Sequence, residues 1–440
     1  MRIKLLLLNL SAFIFSLTVQ GQVVYTLNEC IKTSLENNFS LLITRNSEEI
    51  SRNNFAPGNA GFLPSIDLNG RHSGTLNSST TNYSDGTQGS TSGVFNTASS
   101  AGVSLGLTIF NGFNVQTTYK KLNELKQLGE LNTQMAVENL VSGIVSAYNN
   151  YINQVQLLNN LKYALTLSKE RLRIDEERYL LGSSSKLNVL QSMVYVNSDS
   201  TRLSRQAETV KATQIQLNEL MALEDLGRTF VSQDTSIEIS NSLLYEKLIE
   251  ETLLRNTSLL VAGANKTISE FDRKLIASRS YPYLNLSSGY SYSYNTYSSS
   301  STRNQLTDGM NYGLTMGLNI FDGFNQRRNL QNSELELMNK ELRFQEVEQG
   351  VKADLLTIYS AYSNYLRLVA LEEQNLSTAT ENLAIAMERY RLGNLSGLDL
   401  REVQMSLLEA RESLLSVKYQ AKLAEISLLL ISGRIMEYYQ

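Results

Sequence analysis

The sequence predicts an α+β membrane protein built from two copies of one unit, each a long β-hairpin followed by a long helical hairpin. Three observations predict it. First, motifs recur at one spacing: ERYLLGSSSKLNVLQ (177–191) returns as ERYRLGNLSGLDLRE (388–402), and LTIFNGFN (107–114) as LNIFDGFN (318–325), both 211 residues later. Matches at a common offset mean an internal duplication. Second, apolar and polar residues alternate for about ten residues in each copy, the period of a strand with one face in each medium. Third, only Pro57, Pro64 and Pro282 interrupt the chain, so long helices can run unbroken.

Taken in order, residues 1–21 read as a secretory signal peptide. Arg2 and Lys4 precede an apolar run from Leu5 to about Val19, and Val19-Gln20-Gly21 supplies the small residues of a cleavage site that leaves Gln22 first. Losing two basic and no acidic residues takes the formal charge from −4 to −6, so no basic footprint for nucleic acid remains. No later run of about 18 apolar residues follows, which excludes a transmembrane helix but not a transmembrane β-barrel. Cys30 is alone and forms no internal disulfide; it reads as a small buried helix residue.

The first repeat spans 22–223. Residues 26–56 suggest two helices broken at Asn37-Asn38, and Pro64 opens a hairpin over about 64–110. There Ile66 and Leu68 alternate with polar residues, as do Val103, Leu105, Leu107 and Ile109 on the return. The second repeat spans 243–440, with its hairpin at about 282–321. Leu284, Leu286, Tyr290, Tyr292 and Tyr294 share a face, answered by Tyr312, Leu314, Met316, Leu318 and Ile320. Apolar, tyrosine-rich residues outside and small polar ones inside are what lipid and water would select. Before the hairpin the offset is 218, pairing Ser40-Leu41-Leu42 with Ser258-Leu259-Leu260 and Pro64 with Pro282. The seven residues missing from copy two belong to a surface loop.

At the strand–helix junctions, marked by Pro64, Asn111, Gly112 and by Pro282, Asp322, Gly323, the period changes from two to helical. Asn and Asp are good N-caps. Helical hairpins follow over about 112–223 and 323–433. Their first arms, to about Leu181 and Leu392, would each reach roughly 100 Å. Leu158, Leu161, Leu165, Leu172 and Tyr179 take heptad positions interrupted by Ser168 and Asp175, matched by Val369, Glu372, Leu376, Leu383 and Tyr390. So narrow a stripe suits coiled-coil pairing. Gly182 and Gly393 end these arms, and a linker, 224–242, joins the copies. Four strands cannot close a barrel and leave edges that need neighbours. Three copies would supply twelve strands and a tube of helices, so a symmetric oligomer is expected.

At this point LPSIDL and YPYLNL leading into strands, IFNGF and IFDGF leading out, and the RYLLG…LNVL and RYRLG…LDLRE turns resemble the TolC family of outer membrane efflux proteins. The resemblance covers essentially the whole mature chain. It implies a homotrimer with a 12-stranded β-barrel in outer membrane lipid and a long α-helical coiled-coil barrel. It also implies a periplasmic adaptor (membrane fusion protein) and an inner-membrane transporter of RND or ABC type, the duct serving efflux or type I secretion. Carried over, the adaptor-docking residues are Tyr179, Gly182 and Leu187 with Tyr390, Gly393, Ser396 and Leu398. Glycines there let a partner's backbone approach, although they also simply cap helices. The acidic periplasmic aperture falls on Asp399 and Glu402, one turn apart; Asn188 and Gln191 are their uncharged counterparts. In the family the resemblance points to, most relatives carry alanine where Cys30 stands, and the segment after Gly433 is short, so any collar is expected mainly from 224–242.

No enzyme is read here. His72 is the only histidine and reads as an interfacial polar residue, which leaves no catalytic triad or His/Cys metal cluster. No phosphate-binding loop is present, and no cofactor is expected. The rival reading is an exported coiled-coil stalk or adhesin with a β-rich head.

Overall fold

The structure is a computed structural model and describes residues 23–240 and 242–439; the signal peptide and Gln22 lie outside the described residues. Chain order begins with β1 (Val23–Tyr25), α1 (Leu27–Asn37), α2 (Phe39–Asn54) and the single turn α3 (Pro57–Ala60). It continues with β2 (Ser65–Asn82), β3 (Gln88–Asn111), α4 (Asn114–Leu180) and α5 (Lys186–Leu220). After β4 (Phe230–Ser232) the plan repeats as α6 (Tyr245–Arg255), α7 (Thr257–Ser278), β5 (Tyr283–Thr296), β6 (Asn304–Gly317), α8 (Asn325–Arg391) and α9 (Gly397–Ile431). A 3-10 turn, Ile435–Tyr439, ends the description. The duplication is kept in the helices: α4 and α8 have 67 residues each, α5 and α9 have 35 each.

Two compact units are present. The first comprises the chain up to Arg45, Thr133–Leu259 and Glu348 onward. One of its cores gathers Cys30, Ile31, Ile144, Tyr148, Met221 and Ile426. Burial, helped by the neighbouring Glu29 carboxylate, pushes the Cys30 thiol up to about 12, so it stays protonated and unreactive. The segment between the repeats is more than a linker. Its β4 pairs in parallel with β1, Val231 opposite Val24, and Phe230 packs its ring 5.3 Å from Tyr25 and 5.1 Å from Tyr151. The short tail joins this segment in the same core. Gly433 (φ 70) reverses the chain and delivers a fully buried Ile435 to the same core. Met436 and Tyr438 pack beside it, so even a short tail joins the core.

The second unit, Asn46–Asn132 and Leu260–Val347, carries an antiparallel sheet in the order β2-β3-β5-β6. The alternation works across strands: Leu68, Val103, Tyr290 and Met310 stand in one row, and Asn69, Gly102, Ser291 and Gly309 in the next. The apolar row is exposed, Leu68 at 80 % and Met310 at 72 %, a face suited to lipid. Two strand details differ from the expected pattern. A bulge between Thr108 and Phe110 removes Ile109 from the ladder and pairs Phe110 with Leu284. The last strand stops at Gly317, opposite Tyr283, short of 321. Among the described residues no strand lies alongside beyond Gly317, so Leu318 and Ile320 leave the ladder. Among the described residues no helix is long and apolar enough to cross a membrane.

Candidate functional site at the repeated helix turns

Both helical hairpins turn on the same backbone geometry. At the end of α4, Gly182 N–H donates to Tyr179 O (3.0 Å) and Ser183 N–H to Arg178 O (2.8 Å); at the end of α8, Gly393 donates to Tyr390 O and Asn394 to Arg389 O. These are paired Schellman bonds, which need a left-handed residue after the helix. Gly182 (φ 73) and Gly393 (φ 84) supply it. Ser396 then caps α9, its Oγ accepting from Asp399 N–H at 3.2 Å. Leu187 and Leu398 are exposed on the two turns, as are Asp399 and Glu402 on α9.

The tyrosines of the two motifs part company. Tyr179 is 45 % exposed, whereas Tyr390 is 3 % exposed and packs with Ile174, Leu383, Ala386, Leu400 and Leu407. The helices explain it. In α8 the heptad through Leu383 and Ala386 leads straight to Tyr390. In α4 the buried line runs through Leu161, Ala164, Ser168, Arg171 and Asp175, turned relative to the apolar stripe. Ser168 and Asp175, expected as interruptions of that seam, are its most enclosed members. Tyr390 therefore does not present its ring to solvent as Tyr179 does.

Most of the enclosed polar atoms bond one another, although Arg171 Nε and Nη1 are buried without a hydrogen-bond partner. Tyr390 Oη donates to Asp175 Oδ1, and Ser192 Oγ to Asp175 Oδ2. Arg171 Nε lies 3.7 Å from Asp175, an ion pair with both side chains nearly wholly buried. One layer on, Asp199 accepts from Ser168 Oγ (2.5 Å) and forks with Arg401 at 2.8 and 2.9 Å. The Tyr195 ring ties the layers together, with the Arg171 and Arg401 guanidiniums each 4.9 Å from its centroid. Arg178 reaches across to the Tyr390 carbonyl and lies over its ring at 4.9 Å. Burial and then the bond to Asp175 push the Tyr390 hydroxyl up to about 12. At Asp199 burial pushes upward, but the bonds from Arg401 and Ser168 outweigh it and hold the carboxyl below its ordinary value. Sequence reading missed Asp199, Arg401, Arg171 and Ser192. The one available signal was polar residues falling where a heptad calls for apolar ones.

The junction residues form matching elbows. Pro64 and Pro282 immediately precede β2 and β5. Asn111 Oδ1 accepts from Val115 N–H (3.3 Å) and Asp322 Oδ2 from Gln326 N–H (2.7 Å). Gly112–Phe113 and Gly323–Phe324 all take positive φ, and each elbow packs Phe110 against Phe113 or Phe321 against Phe324 edge to face, ring centroids 5.3 Å apart. His72 on β2 bonds Ser99 at 2.8 Å. Among the described residues no group of three or more His, Cys, Asp or Glu could hold a metal ion.

An open-edged sheet with a lipid-compatible face, carried in a chain of long duplicated helical hairpins, defines the class of outer-membrane channel subunits. The family described as "Outer membrane efflux protein" matches residues 30–223 and again 248–434, one match per repeat. The chain is 26 % identical over 190 residues to outer membrane protein TolC of Vibrio cholerae, an alignment covering 43 % of this chain and 41 % of that protein. The Campylobacter jejuni CmeC outer membrane channel superposes at a TM-score of 0.76, with 18 % identity over 93 % of this chain and 85 % of that one. VceC of Vibrio cholerae does so at 0.74, with 18 % identity over 92 % and 96 %. This chain belongs to the outer membrane efflux protein family. It is an efflux channel of the Gram-negative outer membrane with the TolC-like fold, and not an enzyme. Channels of the family function as trimers in tripartite efflux systems.

Proposed function

We propose that three copies form a passive exit duct: a 12-stranded barrel in the outer membrane continued by a helical barrel whose turns meet a periplasmic adaptor. An inner-membrane transporter, RND or ABC, supplies the energy, since the family does no catalysis. One observation carries this reading. The four-stranded sheet exposes an apolar face and, among the described residues, leaves the outer edges of β2 and β6 unpaired, an arrangement that closure into a membrane barrel resolves on both counts. At the turns, Tyr179, Gly182, Leu187, Gly393, Ser396 and Leu398 form the adaptor surface, and Tyr390 braces it from within. The Asp175–Tyr390 and Asp199–Arg401 bonds join the two hairpins of one chain, so they act as latches that opening must break.

Asp399 and Glu402, brought together by threefold symmetry, would line the entrance with six carboxylates and favour cations. In planar bilayers the Asp399→Asn/Glu402→Gln protein is expected to lose most of its preference for potassium over chloride while keeping its pore. Selectivity equal to that of the unaltered protein would remove these residues from the entrance.

A further inference from the structure

We infer that the second copy of the chain completes the β6 edge in one defined register, with Leu314 opposite the neighbour's His72 and Leu318 opposite its Leu68. The inference rests on the trimeric reading above and specifies which residues meet.

The duplication supplies the template. Residues of β2 and β5 correspond at an offset of 218, those of β3 and β6 at 211. The hairpins obey these offsets: Ser65 opposite Gly106 becomes Tyr283 opposite Gly317, and Asn77 opposite Val94 becomes Asn295 opposite Gln305. The chain also contains one junction between repeats, β3 against β5. Applying the same offsets to that ladder converts it into a junction between β6 and the β2 of a neighbour. Val103–Tyr290 then becomes Leu314–His72, Leu107–Leu286 becomes Leu318–Leu68, and Asn111–Tyr283 becomes Asp322–Ser65. Running the ladder past its template brings Asn304, where β6 begins, opposite Asn82, where β2 ends.

Two independent features fit. The first is length. β2 has 18 residues but β6 only 14, and the missing strand is the segment 318–321. The template places those residues beside Ile66–Leu68 of the neighbour, with a bulge at Ile320 corresponding to Ile109. The segment thus becomes strand when the second copy arrives. The second feature is the elbow. A Cβ placed on Gly112 would lie 2.3 Å from Ser278 O and 2.7 Å from Tyr281 Cβ, so the inter-repeat junction fills that elbow. On Gly323 it would meet only Asn325 Nδ2 at 3.7 Å, beside a cleft of about 500 Å³ lined by Asn319, Ile320, Phe321 and Phe324. The residues corresponding to Ser278 and Tyr281 are Ala60 and Leu63. Leu63 is 60 % exposed, and the neighbour's Leu63 is the side chain that closes the second elbow.

The test is disulfide trapping in the full-length protein in outer membranes, whose native Cys30 is buried. The template pair Ser100–Ser293 becomes Asn311–Thr75, both on the polar face. Directly opposed residues lie about 4.5–5.5 Å apart at Cα, within disulfide reach. Oxidised Thr75→Cys/Asn311→Cys protein is expected to run as dimers and trimers on a denaturing gel, bands absent from either single variant. Thr75→Cys paired with Gly309→Cys or Gly313→Cys, two residues off register, should trap far less. Stronger trapping by an off-register pair, or none by any pair in a particle of trimeric mass, overturns the register alone. A particle of monomeric mass overturns the duct reading as well.

Discussion

Tyr179 and Tyr390 occupy the same place in two copies of one motif, and only one of them faces water. The difference lies in their partners. Tyr390 meets Asp175, a buried carboxylate with no equivalent in the second copy, where Ala386 stands and is itself buried. Removing the Tyr390 hydroxyl costs about 1 kcal/mol of hydrogen bonding and leaves Asp175 to Ser192 and Arg171. Tyr390→Phe is therefore expected to raise the frequency of open states in planar-bilayer recordings, while Tyr179→Phe leaves it unchanged. Equal effects from the two, or none from Tyr390→Phe, would contradict the latch. Asp199 adds a pH window. Its folded carboxyl lies below the ordinary 3.8, so its contribution is complete above that value and is lost only as pH falls through the lowered one. The Asp199–Arg401 latch thus holds through mildly acid conditions. The tyrosine motif could be read directly from the sequence. The latch could not, because Asp199 and Arg401 lie far apart in the chain and nothing local to either announces the other.

At the scale of elements, periodicity was a good guide wherever one face meets one environment. The strands alternate as read, and the long arms end where the glycines say. Where it failed, a neighbour intervened. The bulge at Ile109 belongs to the pairing of β3 with β5, and the end of β6 belongs to the reach of β5. The seam of α4 is rotated because its partners accept Ser168 and Asp175 through hydrogen bonds, so hydrophobicity alone does not mark the buried side. The turns themselves are stringent. A β-branched residue in a left-handed conformation costs roughly 1–2 kcal/mol and puts bulk where a partner's backbone would approach. Gly182→Val with Gly393→Val is expected to abolish export of pump substrates from cells while trimers remain in the outer membrane. Normal export by such trimers would remove the glycine turns from adaptor docking.

At the scale of the whole molecule, the chain is incomplete by physical criteria. Two edge strands carry unsatisfied backbone groups, and a row of Leu, Met and Tyr side chains faces outward. Water would penalise the apolar row and lipid the open edges, whereas a closed barrel in lipid satisfies both. The native particle is accordingly expected to leave the outer membrane only with detergent and to have the mass of three chains, measured by native mass spectrometry. A monomer, or a particle extracted without detergent, would contradict the barrel.

By itself the sequence determined the duplication, the four strands and their lipid face, the length of the helical arms and the glycine turns. Each is written in residues near one another in the chain, through periods of two or seven, or through a repeat offset. The tertiary structure alone decided which tyrosine is enclosed, that polar residues fill the α4 seam, that the β1–β4 pair and the tail share one core, and where β6 stops. The enclosed tyrosine and the β1–β4 pair depend on elements some two hundred residues apart, and the α4 seam and the end of β6 on how neighbouring elements pack and pair. Such choices are set by how side chains pack and pair across the gap, and no local pattern carries that information.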